Sequence, residues 1–123
     1  MTFTKNLDLM LYVDDVQAEK TFWSAAGFVI VEESEMMGLD TFDMKPHAEA
    51  TVTITVFDKD FIAQVSPEVL SNVPSVFFEV EEIEALQARI AELTETCSPI
   101  VEVPFKTFHF ASPSGIYFAV KGV

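Results

Sequence analysis

Few residues of this sequence are of the types that carry out chemistry. Its one cysteine, Cys97, excludes an intramolecular disulfide and a zinc site built from cysteines. The two histidines, His47 and His109, lie far apart in the sequence, and neither has a partner at metal-ligand spacing. Phosphate-binding loops, nucleophile elbows, CxxC and HExxH motifs are all missing. No motif in the sequence therefore defines an enzyme by itself.

The charge balance narrows the choice of partners. Twenty acidic residues against seven basic ones give a formal charge of −13, which repels a phosphate backbone, so we expect no nucleic-acid partner. This acidity either attracts a cationic ligand or is an ordinary surface that keeps the protein in solution. No apolar run is long enough for a membrane span, and residues 1–6 lack the core of a signal peptide. We expect a cytoplasmic protein without a membrane partner.

The element that organises the chain is a strand followed by a helix. In Leu7–Val13 apolar and mixed positions alternate, which is typical of a strand with one buried face. Asp14 and Asp15 follow, and either suits the N-terminal cap of a helix. Gly27 suits the C-terminal turn of that helix. The helix carries an apolar stripe of Val16, Phe22, Trp23 and Ala26.

The same pattern returns from Pro74 to Glu95. An alternating strand there leads into two glutamates and then an amphipathic helix, whose apolar positions are Ile83, Leu86, Ile90 and Leu93. Such a repeat indicates a duplicated module.

Further strands complete each module. In the first module the sequence predicts strands at 28–33, 39–44 and 51–57, and in the second at 99–104, 106–111 and 116–120. Between the last two, Ser112–Gly115 forms a tight turn. We therefore predict an α+β protein of two tandem βαβββ modules, residues 1–60 and 74–123. A linker, residues 61–73, joins them and contains a short helical turn that begins at Pro67.

One helix can cover only one face of each sheet, so the mixed face must meet something else. Two such faces opposite one another would leave a cleft, where ligands usually bind. The candidate ligand-binding residues are Asp8, Met10, Tyr12, Phe42, Thr53, Phe77, Glu79, His109 and Tyr117. The aromatic ones among them suit a planar or apolar ligand. Two readings stay open for Asp8, in the cleft or in solvent at a strand end, and for His109, ligand contact or a structural role.

Three stretches resemble one known family. The opening LYVDDV…FWSAAGF, its echo FEVEEIEALQARI and the closing F-x-F-x-S-P-S-G-I-Y-F look like the glyoxalase/bleomycin-resistance/extradiol-dioxygenase group, the vicinal oxygen chelate superfamily. Ser112 stands where the family usually has aspartate. The resemblance implies a curved mixed sheet around a cleft, and a homodimer in which strands can be exchanged.

The resemblance also identifies the positions where metal-dependent members hold their metal. In this sequence they read Asp8, Thr55, Ser75 and Ala119, of which only Asp8 is an ordinary ligand for a divalent cation. We therefore expect no metal and no other cofactor.

The leading hypothesis is a metal-free, bleomycin-resistance-like protein that binds a small organic ligand, cationic or aromatic, in an inter-module or dimer cleft. Such a protein would serve antibiotic resistance or another sequestering role. The first alternative is a divergent metal-dependent lyase, isomerase or dioxygenase of the same superfamily. The second is a domain whose cleft is filled by its own phenylalanines and which acts through protein contacts.

Overall fold

The structure is a computed structural model that describes residues 2–123. Contacts divide the chain into two compact units, the first ending at Pro74 and the second spanning Ser75–Val123. In chain order the elements are β1 (Leu7–Val13), α1 (Val16–Ala26), β2 (Val29–Met36), β3 (Leu39–Lys45), β4 (Val52–Asp58), α2 (Lys59–Val65), a 3₁₀ turn (Pro67–Val69), β5 (Phe77–Val80), α3 (Ile83–Leu93), β6 (Thr107–Ala111) and β7 (Tyr117–Gly122). The fold class is α+β, as predicted. None of these helices is both long enough and apolar enough to cross a bilayer.

Sheet one, in the first unit, has the strand order β1-β4-β3-β2. Strands β1 and β4 are parallel, and the other pairs are antiparallel. On the face that α1 covers, alternate residues of the strands are buried to 2% exposure or less: Leu11, Val13, Phe42, Met44, Ile54 and Val56. This apolar layer and the helix above it are the core of the first unit.

Helix α1 begins and ends at the residues that the sequence indicates. Asp15 is its N-terminal cap, and Asp15 Oδ1 accepts a hydrogen bond from the backbone N–H of Ala18 at 3.0 Å. Gly27 ends the helix with φ of +104°, a conformation that glycine adopts without steric cost. The predicted stripe of Val16, Phe22, Trp23 and Ala26 is buried. Glu19 is buried beside it and accepts a hydrogen bond from Trp23 Nε1 at 2.9 Å.

Sheet two, in the second unit, has three strands in the order β5-β7-β6, with β5 and β7 parallel. The prediction of a strand at Pro99–Pro104 was wrong, because that segment forms only an isolated bridge between Val101 and Thr107. Prolines lack the N–H that a strand donates, so a segment with a proline at each end cannot continue the ladder. Helix α3 covers one face of sheet two, with Ile83 and Ile90 buried.

The predicted linker contains a helix that the sequence reading missed. Helix α2 begins directly after β4, where Asp58 Oδ1 accepts a hydrogen bond from the N–H of Asp60 at 2.8 Å. Phe61 of α2 stacks on Phe57 of β4, with ring centroids 5.6 Å apart. The predicted helical turn at Pro67 is present as the 3₁₀ segment.

Candidate ligand-binding faces

Each sheet has one face covered by a long helix, α1 or α3, and a second face that we call the open face. The open face of sheet one is set by the register of β1, β4 and β3. Asp8 lies beside Thr53, Met10 beside Thr55, and Thr55 beside Asp43 on the other side. Strand alternation puts these side chains on the face opposite to the buried layer. Three of the predicted site residues, Asp8, Met10 and Thr53, are thereby neighbours.

Polar groups dominate this open face. Thr55 Oγ1 donates a hydrogen bond of 2.7 Å to Asp43 Oδ1, and both residues are half-buried. Asp8 is exposed at the edge strand, and Met10 is 49% exposed. The face therefore presents two carboxylates, two hydroxyls and one thioether, which can accept hydrogen bonds from a ligand or attract a cationic group. Sequence reasoning missed Asp43, although its alternation with Phe42 was visible.

One end of this face is covered. Tyr12 lies beside Phe57 in the register, and Tyr12 is only 8% exposed. Helix α2 contacts both β1 and β4, and its Phe61 stacks on Phe57. Tyr12 is therefore on the predicted face but in its buried part.

The structure does not bring Phe42 together with the other predicted residues. Phe42 lies beside Val56, in the core layer under α1, and is 2% exposed. Phe42 also lines a separate cleft of about 400 Å³, together with Gln17, Glu33, Ser34, Glu35, Asp40 and Thr41. Two of the carboxylates there are paired: Asp40 Oδ2 accepts a hydrogen bond from Gln17 Nε2 at 3.1 Å, and Glu33 pairs with Lys20 at 2.7 Å.

The open face of sheet two gathers the other four predicted residues. Phe77 of β5 lies beside Ala119 of β7, which lies beside His109 of β6. Glu79 and Tyr117 lie two positions along the same strands and so on the same face. Phe77 is 49% exposed and Tyr117 is 59% exposed. Exposed apolar rings that lie next to one another on a sheet face often mark a binding surface, whereas single exposed apolar residues do not.

Two residues that sequence reasoning missed complete this face. Lys121 Nζ pairs with Glu79 Oε1 at 3.1 Å and lies 5.7 Å from the centroid of the Phe77 ring. Phe105 packs against Phe77 with ring centroids 6.1 Å apart. On the other side of Ala119, the rings of His109 and Tyr117 meet edge to face at 6.0 Å. The face is therefore an aromatic surface that carries one ion pair and one imidazole.

The residues at the metal positions of the resembled family do not fit a metal. Ala119 has no donor atom, Ser75 is exposed, and the Thr55 hydroxyl already donates to Asp43. Within residues 2–123, no three His, Cys, Asp or Glu side chains lie close enough together to hold a metal ion. No step of a reaction can be derived through a metal with this set of donors.

The other candidate residues lie away from the open faces. His47 is exposed in the loop after β3, where its Nδ1 accepts a hydrogen bond from the N–H of Glu49 at 3.0 Å. Cys97 is half-buried, and its thiol lies 3.7 Å from the carbonyl oxygen of Gln87. Burial raises the pKa of the Cys97 thiol, which makes it a weak nucleophile.

Comparison with known proteins adds evidence at the level of the fold. No protein-family model matches the chain, and no curated protein matches it. Solved structures do match. TnmS3, an antibiotic binding protein from Streptomyces sp. CB03234, superposes with a TM-score of 0.76 at 13% identity, over 99% of this chain and 98% of that chain.

Two further matches have different activities in their names. A glyoxalase/bleomycin resistance protein/dioxygenase from Nocardioides has a TM-score of 0.69 at 21% identity, over 99% of this chain and 85% of that one. A lactoylglutathione lyase from Agrobacterium tumefaciens has a TM-score of 0.70 at 16% identity, over 99% and 96%. One fold thus carries binding proteins and enzymes alike. The chain has the fold of the glyoxalase/bleomycin resistance protein/dioxygenase proteins, that of the vicinal oxygen chelate superfamily.

Proposed function

We propose that the protein is a metal-free binding protein of the glyoxalase/bleomycin-resistance superfamily, which holds a small organic ligand against the open faces of its sheets. The observation that carries the proposal is the exposed aromatic surface of sheet two, formed by Phe77, Phe105 and Tyr117, with 47–59% of each residue exposed. An inter-module or dimer cleft, a homodimer and a cytoplasmic location remain parts of the proposal. Antibiotic binding by TnmS3 supports a sequestering role for this chain.

The exposed rings can supply a large part of the free energy of ligand binding. A buried aromatic side chain removes on the order of 200 Å² from water, so a ring that is half exposed still offers about 100 Å² to a ligand. At about 25 cal/mol per Å², covering one such ring contributes about 2.5 kcal/mol. Loss of ligand freedom offsets part of this. Two or three rings together contribute about 5–7.5 kcal/mol, less than the ~8.2 kcal/mol of a micromolar complex, so polar contacts must supply the remainder.

The polar open face of sheet one supplies a second kind of contact. The carboxylates of Asp8 and Asp43 and the hydroxyls of Thr53 and Thr55 accept hydrogen bonds from a polar or cationic part of a ligand. The net charge of −13 favours the approach of such a cationic part.

The competing function is a metal-dependent lyase, isomerase or dioxygenase. Its support is the fold that the chain shares with lactoylglutathione lyase. Against it stand the residues at the expected ligand positions, where Thr55, Ser75 and Ala119 replace histidine or carboxylate.

A ligand screen with paired variants tests the proposal. Aromatic and cationic compounds are screened by thermal shift, and those that stabilise the protein are titrated by calorimetry into wild type, Phe77→Ala and Phe3→Ala. Phe3 is fully exposed and outside both sheets, so it controls for loss of a phenylalanine as such. We expect Phe77→Ala to weaken binding about tenfold or more, by the area argument above, and Phe3→Ala to leave it unchanged.

Elemental mass spectrometry of the untagged protein decides between the two functions. A metal-free protein that binds a compound through Phe77 supports the binding function. One Zn, Ni, Mn or Fe per chain, retained on dialysis and needed for ligand binding, would establish the metal-dependent alternative instead.

A further inference from the structure

Ala119 is the smallest side chain in the middle of the open face of sheet two. It lies on the central strand β7, with Phe77 on one side and His109 on the other. Along β7 its neighbours on the same face are Tyr117 and Lys121. All four of these side chains are much larger than a methyl group, so they stand above Ala119 on every side.

The spacing of a sheet gives the size of this recess. Adjacent strands are about 4.8 Å apart, so the backbones of Phe77 and His109 are about 10 Å apart across β7. Alternate residues of a strand are about 6.8 Å apart, so Tyr117 and Lys121 are about 14 Å apart along it. A space of these dimensions, with a methyl group as its floor, accommodates a flat system of one or two fused rings. We propose that Ala119 is the floor of a subsite for the ring of a planar aromatic ligand that carries a hydroxyl group.

The walls favour an aromatic ring over a saturated one. Phe77, Tyr117 and His109 surround the floor, and Phe105, in the segment that leads into β6, packs against Phe77 at a centroid distance of 6.1 Å. Aromatic pairs at such distances gain about 0.5–1.5 kcal/mol beyond the burial of their area. A saturated ring of the same outline gains only the area.

The polar groups of the recess favour a neutral hydroxyl group on the ligand over an anionic group. The Lys121 ammonium pairs with Glu79 at 3.1 Å, so this cation is already neutralised. Together with a net charge of −13, this leaves no local excess of positive charge for an anionic ligand. Among the described residues the imidazole nitrogens of His109 have no hydrogen-bond partner, although the ring is exposed at the edge of the recess. A neutral imidazole both donates and accepts, which suits a hydroxyl group.

This inference rests on the proposed function, because it identifies the chemistry of the ligand on one of the two open faces. Three probes of similar outline separate its parts: 2-naphthol, decahydro-2-naphthol, which keeps the hydroxyl but has no aromatic ring, and 2-naphthoate, which carries a charge. Each is titrated into the 15N-labelled protein and followed through amide chemical shifts. The same titrations are repeated with Ala119→Leu, which fills the recess.

Ala88→Leu is the matched control. Ala88 is exposed on α3, which packs on the other face of sheet two, and the substitution adds the same atoms. Because Ala119 is half-buried on an open face, a leucine there has room to point outward, and thermal unfolding of both variants checks that they fold. We expect 2-naphthol to shift the amides of Phe77, His109 and residues 117–121, and to bind at least tenfold more weakly to Ala119→Leu. Ala88→Leu should bind like wild type.

We expect the saturated alcohol and the anion each to bind at least about threefold more weakly than 2-naphthol. The inference is overturned if the three probes bind equally, if Ala119→Leu binds 2-naphthol as wild type does, or if the shifts fall on sheet one. If the naphthalene probes fail while compounds from the wider screen bind, the inference alone is refuted and the proposed function stands. If nothing binds in either experiment, both are refuted.

Discussion

The start of helix α1 offers a sharp test of how the sequence determines the structure, because two adjacent aspartates have different roles there. Asp15 caps the helix through the 3.0 Å bond from the N–H of Ala18, whereas Asp14 is exposed and pairs with Lys59 at 3.3 Å. From the sequence alone either suits the cap. The junction bears on the proposed function, since β1, which carries the candidate residues Asp8 and Met10, leads directly into it.

The magnitudes follow from these contacts. Loss of an N-terminal cap costs about 1 kcal/mol, and loss of a negative charge near the helix start costs a further 0.3–1 kcal/mol or so. We therefore expect Asp15→Ala to lower the free energy of unfolding by about 1.5 kcal/mol. Asp15→Asn keeps the accepting oxygen but loses the charge, so it should cost only about 0.3–1 kcal/mol. Asp14→Ala breaks an exposed ion pair and should cost about 0.5 kcal/mol or less.

Urea denaturation followed by tryptophan fluorescence measures these differences. Trp23 is the only tryptophan of the sequence, lies in α1 and is fully buried, so its emission reports on the first unit. With a slope of about 2 kcal/mol per molar urea, the midpoint of Asp15→Ala should fall by about 0.75 M. Equal destabilisation by Asp14→Ala and Asp15→Ala would refute the assignment of the cap. An effect of Asp15→Asn as large as that of Asp15→Ala would refute the role of the hydrogen bond.

Two smaller predictions concern ionisable groups of the second unit. Lys106 donates a hydrogen bond of 2.6 Å to Glu84, which lowers the pKa of Glu84 from its usual value of 4.5. In an NMR titration, Lys106→Met should therefore raise the pKa of Glu84. An unchanged pKa would contradict the pairing. The pKa of Glu84 is lower in the folded protein than in the unfolded chain. The ion pair therefore stabilises the fold above about pH 4.5, and this stabilisation is lost as the pH falls through the pKa that Glu84 has in the folded protein. Burial raises the pKa of the Cys97 thiol from its usual value of 9.0. At pH 8 this thiol should therefore react with a disulfide reagent more slowly than free cysteine does. A rate equal to that of free cysteine would contradict its burial.

The sequence predicted those elements whose signals are local and periodic. Strand β1, helix α1 and helix α3 each carry a complete apolar stripe, and Gly27 ends α1 where the pattern placed it. Helix α2 has no such stripe. Only one of its seven residues, Ile62, is buried, and such a short helix with a single buried residue leaves no periodic pattern of apolar residues in the sequence. The segment between Pro99 and Pro104 has the composition of a strand, but its prolines leave too few N–H donors for one.

The residues of the candidate site could be predicted where apolar and polar positions alternate along a predicted strand. Alternation grouped Phe77, Glu79 and Tyr117, because each lies on the mixed positions of its strand, whereas His109 was a candidate by residue type with two readings left open. It could not identify Phe105, which lies outside any strand, or Lys121, which lies beyond the predicted end of the last one. The burial of Phe42 depends on which side of sheet one receives α1. That choice is made by tertiary packing rather than by the strand itself.

Amide chemical-shift mapping of a bound compound tests the central claim most directly. The compound is the one from the thermal-shift screen that stabilises the metal-free protein most. The account predicts that its largest shifts fall on the open faces, above all at Phe77, Glu79, His109, Tyr117 and Ala119. Shifts confined to the covered side of the sheets, around α1 or α3, or binding that appears only after a divalent metal is added, would contradict it.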